Sequence, residues 1–150
     1  MTEIKIGLLG LGNIGTGTYK ALEMNREIIE KELDAKVNIT KILEKDIDRE
    51  RDITVTKEQF VSDPQVIFDD PEIDIVIELL GGVEPAATFM EKALLAGKHV
   101  VTDNKAAVAA NWPRLNEAAA KGGAQFRFEA SVGGGIPVLT ALAGPARANR

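Results

Sequence analysis

IKIGLLGLGNIG, the stretch from Ile4 to Gly15, decides the fold of this chain. The run from Ile4 to Leu9 has the pattern of a β-strand and becomes continuously apolar at its end, as expected for a strand covered on both faces. Three glycines follow at the spacing G-x-G-x-x-G, and a helical pattern begins near Asn13. The stretch therefore predicts a strand, a tight glycine-rich turn and a helix in direct succession.

The same alternation of short apolar runs and helical patterns continues along the chain. Further strands are predicted at 37–43, 73–80, 99–102 and 125–128, with a short edge strand at 53–55. Helices are predicted from Asn13 to Leu33 with a break near Asn25, around Pro64, from Glu84–Pro85 to Ala96, and after Asn111 as far as Gly122. Strands that alternate with helices imply right-handed crossovers and a parallel sheet. The prediction is one doubly wound, mostly parallel α/β domain of Rossmann type, over residues 1–150.

Composition excludes several classes of function. The chain has 150 residues, a formal charge of −5, no cysteine and a single histidine, His99. The negative charge argues against nucleic acid as a partner, and the missing cysteines and histidines remove disulfides, thiolate nucleophiles and multi-histidine metal sites. No secretory signal is expected, and no run approaches the ~20 apolar residues that cross a bilayer. A cytoplasmic protein is expected, with His99, Tyr19 and Trp112 as packing residues.

The glycine-rich turn has the features of a phosphate-binding loop. Gly10 permits the tight turn, Gly12 lets the backbone approach a pyrophosphate, and Gly15 allows the helix to pack closely on the strand. Free amides and the positive end of the helix dipole then face the anion. A plain turn between a strand and a helix is the alternative. The surrounding α/β pattern favours dinucleotide binding by the loop residues Gly10, Leu11, Gly12, Asn13, Ile14 and Gly15.

The choice between NAD and NADP falls to the end of the second strand. An acid there suits the ribose hydroxyls of NAD, and a basic side chain suits the extra phosphate of NADP. The sequence offers both, as Glu44 and Lys45, with Arg49 and Arg51 nearby. Lys45 is a candidate cofactor contact, Arg51 is expected to lie in a solvated loop, and the preference stays open.

Two more segments follow predicted strands and carry specific sequences. They are V-T-D-N-K-A at 101–106 and E-A-S-V-G-G-G-I-P at 129–137. Together with G-L-L-G-L-G at 7–12 and E-L-L-G-G-V-E-P at 78–85, they resemble the cofactor-binding half of the homoserine dehydrogenase family. The resemblance extends from Ile4 to about Leu142. It implies interconversion of L-homoserine and L-aspartate 4-semialdehyde with NAD or NADP, a reaction of threonine and methionine biosynthesis.

The resemblance also implies roles for individual residues. Lys105 matches a family lysine near the nicotinamide and the substrate, where it orients the reacting oxygen, and Gly81 is expected to contact the cofactor. By the same match, a monovalent cation, usually sodium, takes oxygen ligands from Glu129, Val132, Gly134 and Ile136. Asp103 departs from the family pattern, and its carboxylate is in a position to pair with Lys105 and raise the pKa of that lysine.

The resemblance further implies that members of the family continue into a catalytic and dimerisation domain. That domain is expected to be absent from residues 1–150, so the chain alone should bind cofactor without turnover, and homodimers should form through the missing domain. Homoserine or the semialdehyde should bind only with that domain. Two alternatives stay open: a non-catalytic nucleotide-sensing module, and the cofactor half of another amino-acid dehydrogenase.

Overall fold

A single parallel sheet organises the fold in a computed structural model, which describes residues 2–128. Its strands are β1 (Thr2–Leu9), β2 (Ala35–Leu43), β3 (Phe60–Val61), β4 (Ile73–Glu78), β5 (His99–Thr102) and β6 (Phe126–Phe128). All pair in parallel, in the order β3-β2-β1-β4-β5-β6. The helices are α1 (Asn13–Met24), α2 (Arg26–Leu33), α3 (Gln65–Phe68), α4 (Ala86–Leu95) and α5 (Lys105–Gly122). The doubly wound α/β prediction is confirmed.

The hydrophobic core lies on both faces of the sheet, because side chains alternate along each strand. Ile4, Ile6 and Leu8 of β1 face α1 and α2, where Leu22 and Ile29 are buried against them. Leu9 points to the opposite face and packs in the second cluster, formed mainly by β4, β5, α4 and α5. Coverage on both sides explains why the central strands carry nearly uninterrupted apolar sequence.

The three residues expected to serve packing do so. His99 is buried in β5, where its Nδ1 accepts the amide of Gln125 at 3.0 Å and burial lowers the pKa of the imidazole. Tyr19 is buried and donates its hydroxyl to the carbonyl of Thr54 at 3.3 Å. Trp112 is partly exposed and packs on the rings of Phe126 and Phe128.

Two predicted elements are wrong in position. The edge strand is Phe60–Val61 rather than 53–55, because Ile53 and Val55 pack their side chains against the core without pairing to β2. The last helix begins at Lys105 rather than after Asn111, because the side chain of Asn104 caps it by accepting the amide of Ala107 at 3.1 Å. Asn111 instead marks a kink, with φ −133° and ψ 23°, which accommodates the following proline.

Other details match expectation. The chain breaks between α1 and α2 at Asn25, and Gly97 follows α4 with a φ of +83°. Across residues 2–128, no helix combines the length and apolar character needed to cross a membrane.

Candidate functional site

The sheet order places a groove at the carboxyl ends of β1 and β4. The strand order reverses at this point. The chain proceeds from β1 to β2 on one side of it and from β4 to β5 on the other side. The loops that follow β1 and β4 diverge there and leave a crevice, which is where open α/β sheets bind ligands. The glycine-rich turn lies at this crevice.

Each of the three glycines meets a different physical demand. Gly10 has a φ of +98°, and a Cβ there would lie 2.9 Å from the carbonyl oxygen of Leu79. A Cβ on Gly15 would lie 2.2 Å from the carbonyl oxygen of Gly10, so α1 could not approach the loop with any larger residue. A Cβ on Gly12 would meet nothing within 4 Å. The space in front of Gly12 is open, as the backbone approach of a diphosphate requires.

The start of α1 presents unsatisfied donors to that space. Gly12 is the N-cap of α1, and no side chain caps the first turn within the part of the chain that the structure describes. The first amides of a helix have no intrahelical acceptor, and the helix dipole makes this end positive. Asn13 and Ile14 lie at the mouth of the groove, so the arrangement suits an anion bound by main-chain N–H groups.

Charged residues that follow β2 hold the glycine-rich loop in place by hydrogen bonds to its backbone. Glu44 accepts the amide of Leu11 at 2.7 Å and that of Asp46 at 3.0 Å. Arg51 donates its Nε to the carbonyl of Leu11 at 2.8 Å and an Nη to the carbonyl of Asp46 at 2.7 Å. The expectation of a solvated Arg51 is wrong: only 6% of its side chain is exposed, because the guanidinium fits against these carbonyls.

This environment also fixes the charge state of Glu44. Burial alone would raise the pKa of its carboxyl. The amide hydrogen bonds from Asp46 and Leu11, together with the nearby Arg51 guanidinium, outweigh burial and hold that pKa below its usual range. Glu44 is therefore an anionic anchor of the phosphate loop.

The groove divides into a wide part and a narrow part that share Gly12 and Gly81. The wide part has a volume of about 980 Å³ and runs past the end of β2, where Lys45 and Lys57 line it beside Ile47. The narrow part has a volume of about 530 Å³ and runs from Gly12 to the end of β5. Together the two parts extend across the carboxyl ends of β2, β1, β4 and β5, which suits a ligand with two separate end groups.

Lys105 lies at the far end of the narrow part. It is the first residue of α5, and its side chain is exposed beside Asp103 and Asn104. Asp103 forms no ion pair with Lys105 within residues 2–128, so the expected pairing of these two side chains is not observed. The ammonium of Lys105 is free to face a ligand in the groove.

One polar group of the site escaped the sequence analysis. Glu78, the last residue of β4, is fully buried next to the groove and accepts the Thr102 hydroxyl at 2.6 Å. The only sequence signal was a carboxylate inside the most apolar strand.

The predicted cation ligands lie outside the described residues. Glu129, Val132, Gly134 and Ile136 all follow Phe128, the last residue that the structure describes. Within residues 2–128, no cluster of acidic or histidine side chains could hold a metal ion.

Taken together, a parallel sheet of this order, an open glycine loop at its switch point and an uncapped helix start define a Rossmann-type domain of the dinucleotide-binding class. The family model described as "Homoserine dehydrogenase, NAD binding domain" matches residues 10–129. The chain belongs to this family.

Individual relatives agree. The homoserine dehydrogenase of Bacillus subtilis is 39% identical over 142 residues, which cover 95% of this chain and 33% of that protein. The Synechocystis enzyme is 39% identical over 141 residues, 93% of this chain and 32% of its own. A crystal structure of Staphylococcus aureus homoserine dehydrogenase at pH 7.5 superposes with a TM-score of 0.80 at 35% identity, covering 87% of this chain and 33% of that one. The chain thus spans about a third of the length of the relatives it matches.

Proposed function

We propose that the chain is the cofactor-binding part of an NAD(P)-dependent homoserine dehydrogenase, which interconverts L-homoserine and L-aspartate 4-semialdehyde in amino-acid biosynthesis. The observation that carries this proposal is the open space at Gly12 in front of the uncapped α1. Such a site needs an anionic group that the backbone can approach closely. The diphosphate of a dinucleotide meets that need, and the two parts of the groove accept its two nucleoside ends.

The geometry supports a definite orientation of the cofactor. The diphosphate would bind the amides at the start of α1, and the adenosine would enter the wide part beside Ile47. The nicotinamide, which supplies or accepts the hydride when bound, would extend through the narrow part past Gly81 toward Lys105. There the Lys105 ammonium is placed to hold the reacting substrate oxygen by charge and hydrogen bonding, which makes it the proposed catalytic residue.

We further propose a preference for NADP(H). Both carboxylate oxygens of Glu44 already accept backbone amides, so this acid is engaged by the loop rather than presented to a ribose. Lys45 and Lys57 are exposed and line the same part of the groove. Two ammonium groups beside the adenosine end favour the additional phosphate of NADP over the hydroxyl of NAD.

Turnover is proposed to require a substrate-binding part in addition to residues 1–150, in keeping with the share of its relatives that the chain spans. That part would also carry the dimer contacts. The sodium site at Glu129, Val132, Gly134 and Ile136, and a cytoplasmic location, belong to the same proposal.

The test is a titration of the chain with NADPH and with NADH, followed by nicotinamide fluorescence. We expect saturable binding of both, with NADPH at least about tenfold tighter. Gly12→Val should abolish binding without unfolding the protein, because the added side chain meets only the open space. Gly17→Val, on the exposed side of α1, is the matched control. Binding of neither nucleotide by the wild-type chain would overturn the proposed function.

A further inference from the structure

We propose that Glu78, Thr102 and Asn104 form a buried chain of positioning residues that sets the nicotinamide end of the groove separately from the phosphate loop. This inference rests on the proposed function, because it assigns these three residues to one half of a dinucleotide site. It concerns residues that would not themselves touch the cofactor's phosphates.

These hydrogen bonds begin at the carboxylate of Glu78, the last residue of the central strand β4. Glu78 ends β4 and lies opposite Thr102 of β5 in the strand register. Its Oε1 accepts the Thr102 hydroxyl at 2.6 Å, and its Oε2 accepts the amide of Leu80 at 2.7 Å. Glu78 and Thr102 are both fully buried. The carboxylate therefore ties the end of β5 to the first turn of the loop that follows β4.

Asn104 extends these contacts to the start of α5. Its amide donates to the hydroxyl of Thr102 at 2.9 Å, and its side-chain Nδ2 donates to the carbonyl of Gly82 at 2.6 Å. Its Oδ1 accepts the amide of Ala107 and so caps α5. Asn104 thus has every polar atom of its side chain engaged. The position of Lys105, the next residue, follows from these bonds.

The residues held in this way line the narrow part of the groove. Leu80, Gly81, Asn104 and Lys105 form its wall opposite the phosphate loop. The phosphate loop is held by other residues, Glu44 and Arg51, which follow β2. The two ends of the groove are therefore fixed by separate sets of hydrogen bonds.

A stabilising role alone does not explain a carboxylate at this position. The two partners of Glu78 within residues 2–128 are neutral donors, and an acid buried without a cation carries a desolvation cost. What the carboxylate adds is direction, because two acceptor oxygens fix a hydroxyl and an amide on either side of it.

The experiment compares two ligands that differ only in the nicotinamide end. The affinities of NADPH and 2′-phospho-ADP-ribose are measured for the full chain and its variants, with NADH and ADP-ribose in parallel. Thr102→Val removes the central hydroxyl while keeping the shape of the side chain. We expect it to weaken NADPH binding about tenfold and to change 2′-phospho-ADP-ribose binding less than about twofold.

Two comparison variants separate positioning from general structure. Thr102→Ser retains the hydroxyl and should bind NADPH nearly as the wild type does. Thr18→Val removes another buried threonine hydroxyl, one without a hydrogen-bond partner in the described residues, and should affect neither ligand.

Asn104→Ser decides the matter if Thr102→Val does not fold. Serine still caps α5, but it cannot donate to the carbonyl of Gly82. We expect the same selective loss of NADPH affinity. Equal weakening of both ligands, or no change in either, in a folded variant would overturn the inference. Failure of the wild type to bind either NADPH or NADH would instead contradict the proposed function.

Discussion

The Glu44 carboxylate accepts a hydrogen bond of 2.7 Å from the amide of Leu11, which lies 33 positions earlier in the sequence. This contact joins the end of β2 to the middle of the glycine-rich turn. Arg51 completes the link from the other side by donating to the carbonyl of the same leucine. The shape of the phosphate loop therefore depends on the charged segment after β2 as well as on its glycines.

The Glu44 anchor predicts a specific dependence of stability on pH. Since folding lowers the pKa of Glu44, the stabilisation it provides is present above the ordinary carboxyl pKa and is lost as pH falls through the folded-state value. Glu44→Gln should therefore show a shallower decline in unfolding free energy than the wild type between about pH 5 and pH 3. Denaturant titrations at several pH values measure this. Identical slopes in the two proteins would contradict it.

Two glycines in the first two turns of α1 should respond in opposite ways to alanine. Gly15→Ala brings a methyl group to within 2.2 Å of the Gly10 carbonyl oxygen, so it should cost about 1–3 kcal/mol of stability and greatly reduce nucleotide binding. Gly17→Ala meets no neighbour within 4 Å and should stabilise the helix by about 0.5–1 kcal/mol. Thermal unfolding and NADPH titration check both. A tolerated Gly15→Ala would mean that the helix does not pack on the loop as described.

Removal of the Arg51 guanidinium should loosen the phosphate loop. Arg51→Ala removes the guanidinium donors from the Leu11 and Asp46 carbonyls, at an expected cost of about 1–3 kcal/mol in unfolding free energy and a weaker affinity for NADPH. Arg127→Ala, at an exposed position of β6, is the control and should change neither quantity. If both variants behave alike, Arg51 is not an anchor.

Lys105 should matter for chemistry more than for binding. Because its ammonium is exposed at the end of the narrow groove, Lys105→Met should leave NADPH affinity within about threefold of the wild-type value. With a substrate-binding part supplied, homoserine oxidation should fall by about a hundredfold or more. Lys121→Met, at the other end of α5, should leave turnover unchanged. Undiminished turnover by Lys105→Met would remove this lysine from the proposed mechanism.

The sequence was sufficient for the fold because its decisive signals are local. An apolar strand followed directly by G-x-G-x-x-G and a helical period specifies a β-α unit without reference to the rest of the chain, and repetition of the pattern specifies the parallel sheet. The roles expected of Gly10, Gly12 and Gly15 match the φ angle, the open space and the close contact that the structure shows.

The errors arose where a side chain finds its partner far away. Arg51 lies in a run of charges that indicates a solvated loop, and only the position of the Leu11 carbonyl makes its burial favourable. Glu78 offers no local sign of its partner in the neighbouring strand. The misplaced start of α5 has a different, local cause: proline is a strong helix-start signal, and it outweighed the capping side chain of Asn104, which lies a full two turns earlier.

The central place of β1 in the sheet constrains the order of assembly during synthesis. This strand is synthesised before β4, yet one of its edges pairs with β4, so that Lys5 meets Ile73 and Leu9 meets Glu78. Until β4 has emerged, that edge has no partner and one apolar surface of the strand stays uncovered. Nascent chains that end before Ile73 should accordingly depend on chaperones, and those that reach beyond β5 should resist proteolysis.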